Sequence, residues 1–332
     1  MPTKKQHQAK IDKLLAIVEQ NFQHSEKTNF LEYTQKFLNS KLLTKKSIKV
    51  DFRICERFFV DTFKNKYIEN IKHTDIAKLF NKVSHDNGKV MANRIYALLH
   101  SIFEAAILDD LIFKNPCKKI KRHKELSRTR FLNKEELARF LIATSLLDPK
   151  YKCFFLLLLF TGARNGSVKA MRWENVDLNA GKWATISKKG KGTKAIIVFL
   201  NSHSIACLEE MRKISGKSTF VFPANSQSGH MEEPKKIWTK LCKNIGLKDF
   251  TMHDLRATFA TWQKNLGSPI NIVSNSLHHS GVEITKVYLR DNSQDIEKVR
   301  NSVNMVGEKF MAIYEERKKE IEDTEKARES LH

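Results

Sequence analysis

Apolar residues recur at intervals of three and four positions along most of the chain, which is the spacing of helices with one buried face. In the first third this spacing predicts four helices, around residues 30–38, 48–59, 74–83 and 90–111. Asn115 stands before Pro116, and the residue before a proline avoids helical geometry, so the fourth helix should end before this point. The pattern predicts a small all-helical domain.

A second domain is predicted from residue 131 onward. Asn133 and Glu136 have the spacing of a capping box, which predicts a helix that continues to residue 146. The nearly all-apolar residues 151–160 predict a buried helix that ends at Thr161-Gly162. Arg164 follows at once, so its backbone should be rigid while its head faces a cleft or pairs with a nearby acid such as Glu174 or Asp177.

The middle of this second domain has the pattern of a β-hairpin. Runs rich in β-branched and aromatic residues, 183–186 and 195–200, flank the segment SKKGKGTK, which predicts a glycine-containing, lysine-rich tip. Further elements are predicted as helices at 204–213 and 234–245 and a short strand at 219–222. The fold class is therefore mainly α with a small β-hairpin or sheet, in two domains.

The stretch 251–290 carries most of the candidate chemistry. His253 and Arg256 are three residues apart in an apolar-periodic run, which predicts that both side chains share one helix face. Ser268 and Pro269 predict the N-cap and first residue of a second helix. His278 and His279 follow it, and Tyr288 comes nine residues after His279. A His/Arg pair or a lone tyrosine is more often structural, so the argument depends on the ordered set.

The boundaries that these patterns suggest divide the chain into five parts. They are an N-terminal extension (1–27), a helical domain (28–122), a basic linker (123–130), a second domain (131–300) and a C-terminal tail (301–332). The extension is expected to be one helix or a mobile arm, and the tail one exposed helix or partly disordered.

The net charge of +22 indicates a polyanionic partner, and nucleic acid is favoured over a general solubility effect because the basic residues cluster. Residues 118–130 carry seven Lys or Arg and one acid. Each basic side chain taken singly is more often a solvated surface group. The candidates for contact with a DNA backbone are Lys45, Lys46, Lys49, Lys89, Arg94, Lys118, Lys119, Lys121, Arg122 and Lys124.

The five cysteines are scattered without a CxxC pair, so neither a disulfide framework nor a zinc site is predicted. The longest apolar run near the middle, residues 153–160, is too short to span a bilayer, and the N-terminus lacks the apolar core of a signal peptide. We therefore expect a cytoplasmic protein without a membrane partner.

The ordered motifs TGAR, GKGTKAIIVFL, HDLR, LHH and VYLR together resemble those of the tyrosine recombinases, also called the phage integrase family. The resemblance runs from about residue 28 to residue 290. It implies a helical core-binding (SAM-like) domain, a basic linker and a catalytic domain, with an N-terminal arm-binding domain absent or vestigial. The implied catalytic residues are Arg164, Lys191, His253, Arg256, His279 and Tyr288. Lys188 and Lys189 are alternatives to Lys191, and His278 is an alternative to His279.

One departure concerns the position three residues after the first arginine, where many members carry an acid and this chain has Ser167. The implied reaction is attack of Tyr288 on a DNA phosphodiester, which forms a 3′-phosphotyrosine without a metal, nucleotide cofactor or small-molecule substrate. The implied partner is double-stranded DNA, bound by a homotetramer on two sites near the nucleoid. Two alternatives remain: a DNA-binding regulator that does not cut, and a strand-relaxing enzyme of the type IB topoisomerase kind.

Overall fold

The computed structural model describes residues 27–45, 47–125, 130–189, 192–277 and 293–329. The chain divides into two compact units, Met1–Ser127 and Arg128–His332, and each has its own hydrophobic core. Both units are mainly helical with a small sheet in the second, as the sequence predicts, and the described sheet gains a third strand that was not predicted.

The four predicted helical segments of the first unit are present. Asn29 begins the first helix by accepting a hydrogen bond from the backbone N–H of Leu31 at 2.9 Å. The second segment contains a π-helical turn, Cys55–Phe59, between two α-helical pieces. The α-helices are α1 (Phe30–Ser40), α2 (Ile48–Ile54), α3 (Val60–Phe63), α4 (His73–Asp86) and α5 (Lys89–Leu108).

The first part of the basic block is fixed to this unit. Asn93 on α5 donates its side-chain amide to the carbonyl of His123 (2.9 Å) and to Glu125 (2.7 Å), and it accepts the backbone N–H of His123 (2.9 Å). The imidazole of His123 stacks on Phe80, with ring centroids 4.9 Å apart. Residues up to 125 are therefore fixed to the first unit, three residues beyond the predicted end of the helical domain.

The first two helices of the second unit are the ones that the sequence predicts. The capping box of Asn133 and Glu136 opens α6 (Lys134–Ser145), and α7 (Pro149–Thr161) is buried on nearly every face. Gly162 ends α7 in the left-handed conformation (φ 58°). A Cβ atom at Gly162 would lie 2.5 Å from the ring of Phe259, so the close approach also requires glycine.

The predicted hairpin is confirmed, although its strands are longer than the apolar runs. β1 (Val176–Asp177), β2 (Lys182–Lys189) and β3 (Gly192–Phe199) form an antiparallel sheet in that order. The register pairs Trp183 with Val198 and Lys189 with Gly192. The backbone pairing therefore extends into the lysine-rich segment.

The predicted strand at 219–222 is wrong. Phe220 forms only an isolated bridge with Arg172. Val221 and Phe222 are fully buried, so this run is apolar because it fills the core and not because it pairs in the sheet.

Helices complete the described part of the second unit. They are α8 (Asn165–Lys169), α9 (Ser202–Ser215), α10 (Lys235–Asn244), α11 (Asp254–Asn265), α12 (Ile270–Ser276) and α13 (Ser293–Glu329). The predicted start of α12 is one residue early. Pro269 is the N-cap, and the hydroxyl of Ser268 instead forms a buried hydrogen bond with Ser302 at 2.6 Å.

The expectation of an exposed C-terminal helix is wrong for the first half of α13. Val306 and Phe310 are fully buried, and Val303 and Ile313 are nearly so. These residues are three and four apart and complete the core of the second unit. In the described ranges, no helix combines the length and apolar character needed to cross a bilayer.

Candidate functional site

Arg164 is held at the end of a rigid element. It follows the buried helix α7 and the turn at Gly162, and it is the N-cap residue of α8. Its carbonyl accepts the backbone N–H groups of Ser167 (2.9 Å) and Val168 (3.1 Å). Because the backbone on both sides is fixed, only rotation about the side-chain bonds of Arg164 can change the position of its guanidinium.

Arg256 lies in the first turn of α11, and 8% of its surface is exposed. One terminal nitrogen donates to the carbonyl of Gly162 at 2.6 Å, and the other donates to the carbonyl of Leu277. A guanidinium has five N–H donors. Arg256 therefore connects Gly162, two residues before Arg164, to Leu277, the last described residue before the range 278–292. Its other N–H groups can donate to a ligand.

The buried Arg256 and the half-buried Arg164 form a cationic site. The pKa of Arg256 is lowered to about 10, first because burial disfavours the charged form and second because the charge of Arg164 is nearby. Within the described residues, neither guanidinium forms an ion pair with a carboxylate. A bound anion would therefore relieve the electrostatic cost of this arrangement.

Arg164 does not pair with Glu174 or Asp177, the acids that the sequence offered as alternatives. Glu174 pairs with Arg172 at 3.5 Å, and Asp177 accepts the backbone N–H of Ala180 at 2.8 Å. The residue three positions after Arg164 is the uncharged Ser167, so no acid stands at this position of the sequence. The local charge therefore favours binding of a phosphate group.

His253 lies three residues before Arg256, at the start of the same helix. It is the N-cap residue of α11 and is exposed, whereas Arg256 is buried. The buried carboxylate of Asp254 accepts both the backbone N–H (2.7 Å) and the hydroxyl (2.8 Å) of Thr251, which fixes the turn that carries His253. The imidazole of His253 is therefore accessible to a ligand.

Sequence reasoning missed the backbone partners of Arg256. The carbonyls of Gly162 and Leu277 are 94 and 21 residues away along the chain. The only local signal was a glycine directly after a buried apolar helix, which indicated a turn but not a hydrogen-bond partner.

The remaining catalytic candidates lie outside what can be described. Lys191, His278, His279 and Tyr288 fall in the ranges that the structure does not describe. The backbone of Lys188 and Lys189 is in strand β2.

The basic residues proposed for DNA contact are exposed wherever they are described. Lys45 also pairs with Asp51, and Lys46 is outside the described residues. The exposed members are Lys45, Lys49, Lys89, Arg94, Lys118, Lys119, Lys121, Arg122 and Lys124. Their contact with DNA stays a prediction. Among the described residues, no group of three or more His, Cys, Asp or Glu side chains is placed to hold a metal ion.

A comparison with known protein families decides the assignment. The model of the phage integrase family matches residues 130–295, which is half of the chain. The chain belongs to the phage integrase family. Both arginines and the turn at His253 lie within the matched range.

Named relatives in this integrase family are similar over part of the chain. Prophage integrase IntF of Escherichia coli K12 is 27% identical over 170 residues, which is 50% of this chain and 36% of the relative. Tyrosine recombinase XerC of Xanthomonas axonopodis pv. citri is 31% identical over 148 residues, 43% of this chain and 48% of the relative. The chain thus covers less than half of the length of these two relatives.

Solved structures of integrases share the fold. A lambda integrase (75–356) dimer bound to a COC′ core site has a TM-score of 0.62 at 18% identity, with 76% of this chain and 94% of the other covered. The Tn1549 transposon integrase (82–397) in complex with circular intermediate DNA has a TM-score of 0.63 at 18% identity, with coverages of 81% and 98%. The likeness therefore extends over both units of this chain.

Proposed function

We propose that this chain is a tyrosine site-specific recombinase that breaks and rejoins DNA strands through a 3′-phosphotyrosine intermediate. The observation that carries the proposal is the pair formed by the half-buried Arg164 and the buried Arg256, neither of which forms an ion pair with an acid in the described residues. Membership in the phage integrase family supports the same reaction.

The two arginines would hold the scissile phosphate. Each guanidinium is a planar, permanently charged fork that can donate to two phosphate oxygens. Negative charge spreads over those oxygens in the transition state, and donors that are already oriented lower the barrier. Since Arg256 is fixed by Gly162 and Leu277, little reorganisation is needed when the phosphate binds.

The nucleophile would be the hydroxyl of Tyr288. A free tyrosine has a pKa of about 10, so it needs a cationic environment and a proton acceptor to react at neutral pH. We assign His253 as that acceptor and His279 as a donor to a non-bridging oxygen. The bond from phosphorus to the 5′-oxygen breaks, and Lys191 protonates the leaving oxygen. The 5′-hydroxyl of a second strand then reverses the step with a new partner.

Both units would contact duplex DNA. We assign residues 28–122 as the core-binding domain, 123–130 as the linker, and 131–300 as the catalytic domain. The exposed basic residues of the first unit and the linker would follow the phosphate backbone. A lambda integrase tetramer bound to a Holliday junction has the same fold, which supports a tetramer on two DNA sites. Action in the cytoplasm beside the nucleoid stays a prediction.

A covalent trapping assay tests the proposal. The wild type and Tyr288→Phe are mixed with nicked duplexes that carry the DNA flanking the gene, and the products are separated on a denaturing gel. We expect a denaturant-resistant protein–DNA band with the wild type and none with the variant. If the wild type binds this DNA but forms no band, the cutting activity is refuted and a DNA-binding regulator becomes the better interpretation.

A further inference from the structure

Four buried polar side chains connect α11, α12 and α13. Gln263 on α11 is fully buried and donates its amide to the hydroxyl of Ser302 on α13 at 2.9 Å. Its carbonyl oxygen accepts the hydroxyl of Ser276 on α12 at 2.7 Å. Ser268, in the connection between α11 and α12, completes the set through its 2.6 Å bond with Ser302. We call these four residues the Gln263 cluster.

The cluster specifies how the three helices meet. The surroundings are apolar, with Val273, Val299 and Val303 nearly fully buried in the same core. A buried amide without partners costs far more than one that is hydrogen-bonded, so displacement of α12 or α13 along α11 would be penalised. Apolar contacts alone are not directional and would tolerate such a displacement.

The Gln263 cluster is connected to the cationic site through α11 and through the residue next to Ser276. Gln263 is seven residues after Arg256, which is about two helical turns on the same helix. Ser276 immediately precedes Leu277, whose carbonyl accepts a hydrogen bond from Arg256. α13, which contains Ser302, begins at Ser293. The helices on both sides of residues 278–292 are thus bonded to the helix that carries Arg256.

We infer that Gln263 is a positioning residue that fixes α12 and α13 relative to Arg256 and thereby keeps the carbonyl of Leu277 in place for the Arg256 guanidinium. The inference rests on the proposed recombinase function, in which Arg256 holds the scissile phosphate. The role is carried by the amide's donor and acceptor together, since each end bonds to a different helix.

The first test needs no DNA. Gln263→Leu keeps the approximate volume and removes both hydrogen bonds. We expect amide hydrogen exchange in α12 and in residues 293–305 to rise about tenfold, as the loss of buried partners implies, while exchange in α7 and α10 stays unchanged. The control is Thr144→Val, which removes a buried hydroxyl outside the cluster. Unchanged exchange in both helices, or an equal rise throughout the unit, would overturn the inference.

The second test uses the trapping DNA. We expect Gln263→Leu to form the covalent adduct at least about tenfold more slowly than the wild type while the DNA dissociation constant stays within about twofold. A purely stabilising role would leave the rate at a permissive temperature unchanged, and that result would overturn the inference. A wild type that binds DNA without forming an adduct would instead refute the recombinase proposal, and the exchange measurement would still decide the structural claim.

A conservative variant adds a specific signature. A protonated glutamic acid supplies one O–H donor and a carbonyl acceptor, which are the two roles that the Gln263 amide has in these bonds, and burial favours this neutral form. We expect Gln263→Glu to regain adduct formation relative to Gln263→Leu as the pH falls from about 8 to about 6. The same ratio of the two rates at both pH values would contradict the assigned role of the amide.

Discussion

At the scale of single residues, the guanidinium of Arg256 holds the cationic site together, although burying its charge lowers the stability of the fold. Arg256 is buried, its pKa is lowered, and its neighbour Arg164 carries the same charge. Two backbone carbonyls compensate for part of this cost. Sites that bind a charged ligand commonly have this property, because the ligand supplies the missing opposite charge.

Replacing Arg256 by lysine should be damaging in two ways. A lysine ammonium cannot donate to the carbonyls of both Gly162 and Leu277 in the same geometry, so we expect the free energy of unfolding to fall by about 2 kcal/mol. Adduct formation should also be lost because the fork for phosphate is gone. Urea denaturation and the trapping assay measure the two effects, with the exposed Arg317→Lys as control. An active Arg256→Lys variant of normal stability would contradict this account.

Replacing Arg164 by glutamine should stabilise the free protein while it abolishes cleavage. The charge of Arg164 contributes to the lowered pKa of Arg256, so its removal relieves a like-charge repulsion. We expect a gain of about 1 kcal/mol in the free energy of unfolding at neutral pH. Urea denaturation without DNA measures it, and a loss of stability would show that the repulsion is not the dominant effect.

At the scale of elements, the second unit depends on close approaches and on the caps of its helices. Gly307 on α13 lies against Asn201, the N-cap residue of α9, and a Cβ atom there would be 2.5 Å from the Asn201 side-chain nitrogen. Asn201 is itself buried and bonds to the backbone of Ser204 at 2.8 Å. The packing of α13 therefore leaves no space at this crossing.

Gly307→Ala should destabilise the second unit. Alanine favours a helix by about 1 kcal/mol over glycine, but the collision with Asn201 displaces a buried cap, so we expect a net loss of about 1–2 kcal/mol. The matched control is Gly166→Ala in α8, where a Cβ atom would meet nothing within 4 Å. Thermal unfolding of both variants measures the difference, and equal behaviour would show that α13 moves freely at this crossing.

The start of α6 should contribute a pH-dependent stability. The two terminal nitrogens of Arg130 donate to the two oxygens of Glu136 at 2.6 and 2.8 Å, and this hydrogen bonding lowers the pKa of Glu136. A carboxyl whose folded pKa is lowered stabilises the fold above its ordinary pKa of about 4.3 and loses this contribution as the pH falls through the folded value.

Glu136→Gln should therefore cost about 1 kcal/mol at pH 7, and the cost should shrink as the pH falls below the ordinary pKa of glutamate. Urea denaturation of the wild type and the variant at neutral and at acidic pH measures it. Glu135→Gln, at the exposed neighbouring position, is the control. A cost that is the same at both pH values would mean that the ion pair is not its source.

At the scale of the whole molecule, the chain consists of two separately cored units and a large positive charge. Asn93 fixes the basic block as far as Glu125 to the first unit, so its lysines and arginines have a defined starting point on that surface. A net charge of +22 favours the binding of any polyanion, and only local contacts determine how the bound polyanion is oriented on the protein.

The salt dependence of DNA binding should locate these contacts. Changing Lys118, Lys119 and Lys121 together to glutamine should reduce the slope of log K against log salt by about 0.9 for each phosphate contact that is lost. The control changes Lys318, Lys319 and Lys326 on α13, which alters the net charge equally. Fluorescence anisotropy over a range of salt concentrations measures both. Equal slopes for the two triple variants would refute a specific role of the basic block.

The sequence by itself determined the features that depend on neighbouring residues. The helices, the capping box at Asn133, the turn at Gly162 and the hairpin are encoded within a few positions, and the ordered motifs sufficed for the family. Tertiary structure decided what depends on residues far apart. Val221 and Phe222 are apolar for the core and not for a strand, the first half of α13 is buried, and Ser268 bonds to Ser302 instead of capping α12. Likewise Arg256 finds its carbonyl partners 94 and 21 residues away. No local pattern specifies such contacts, because packing alone brings these groups together.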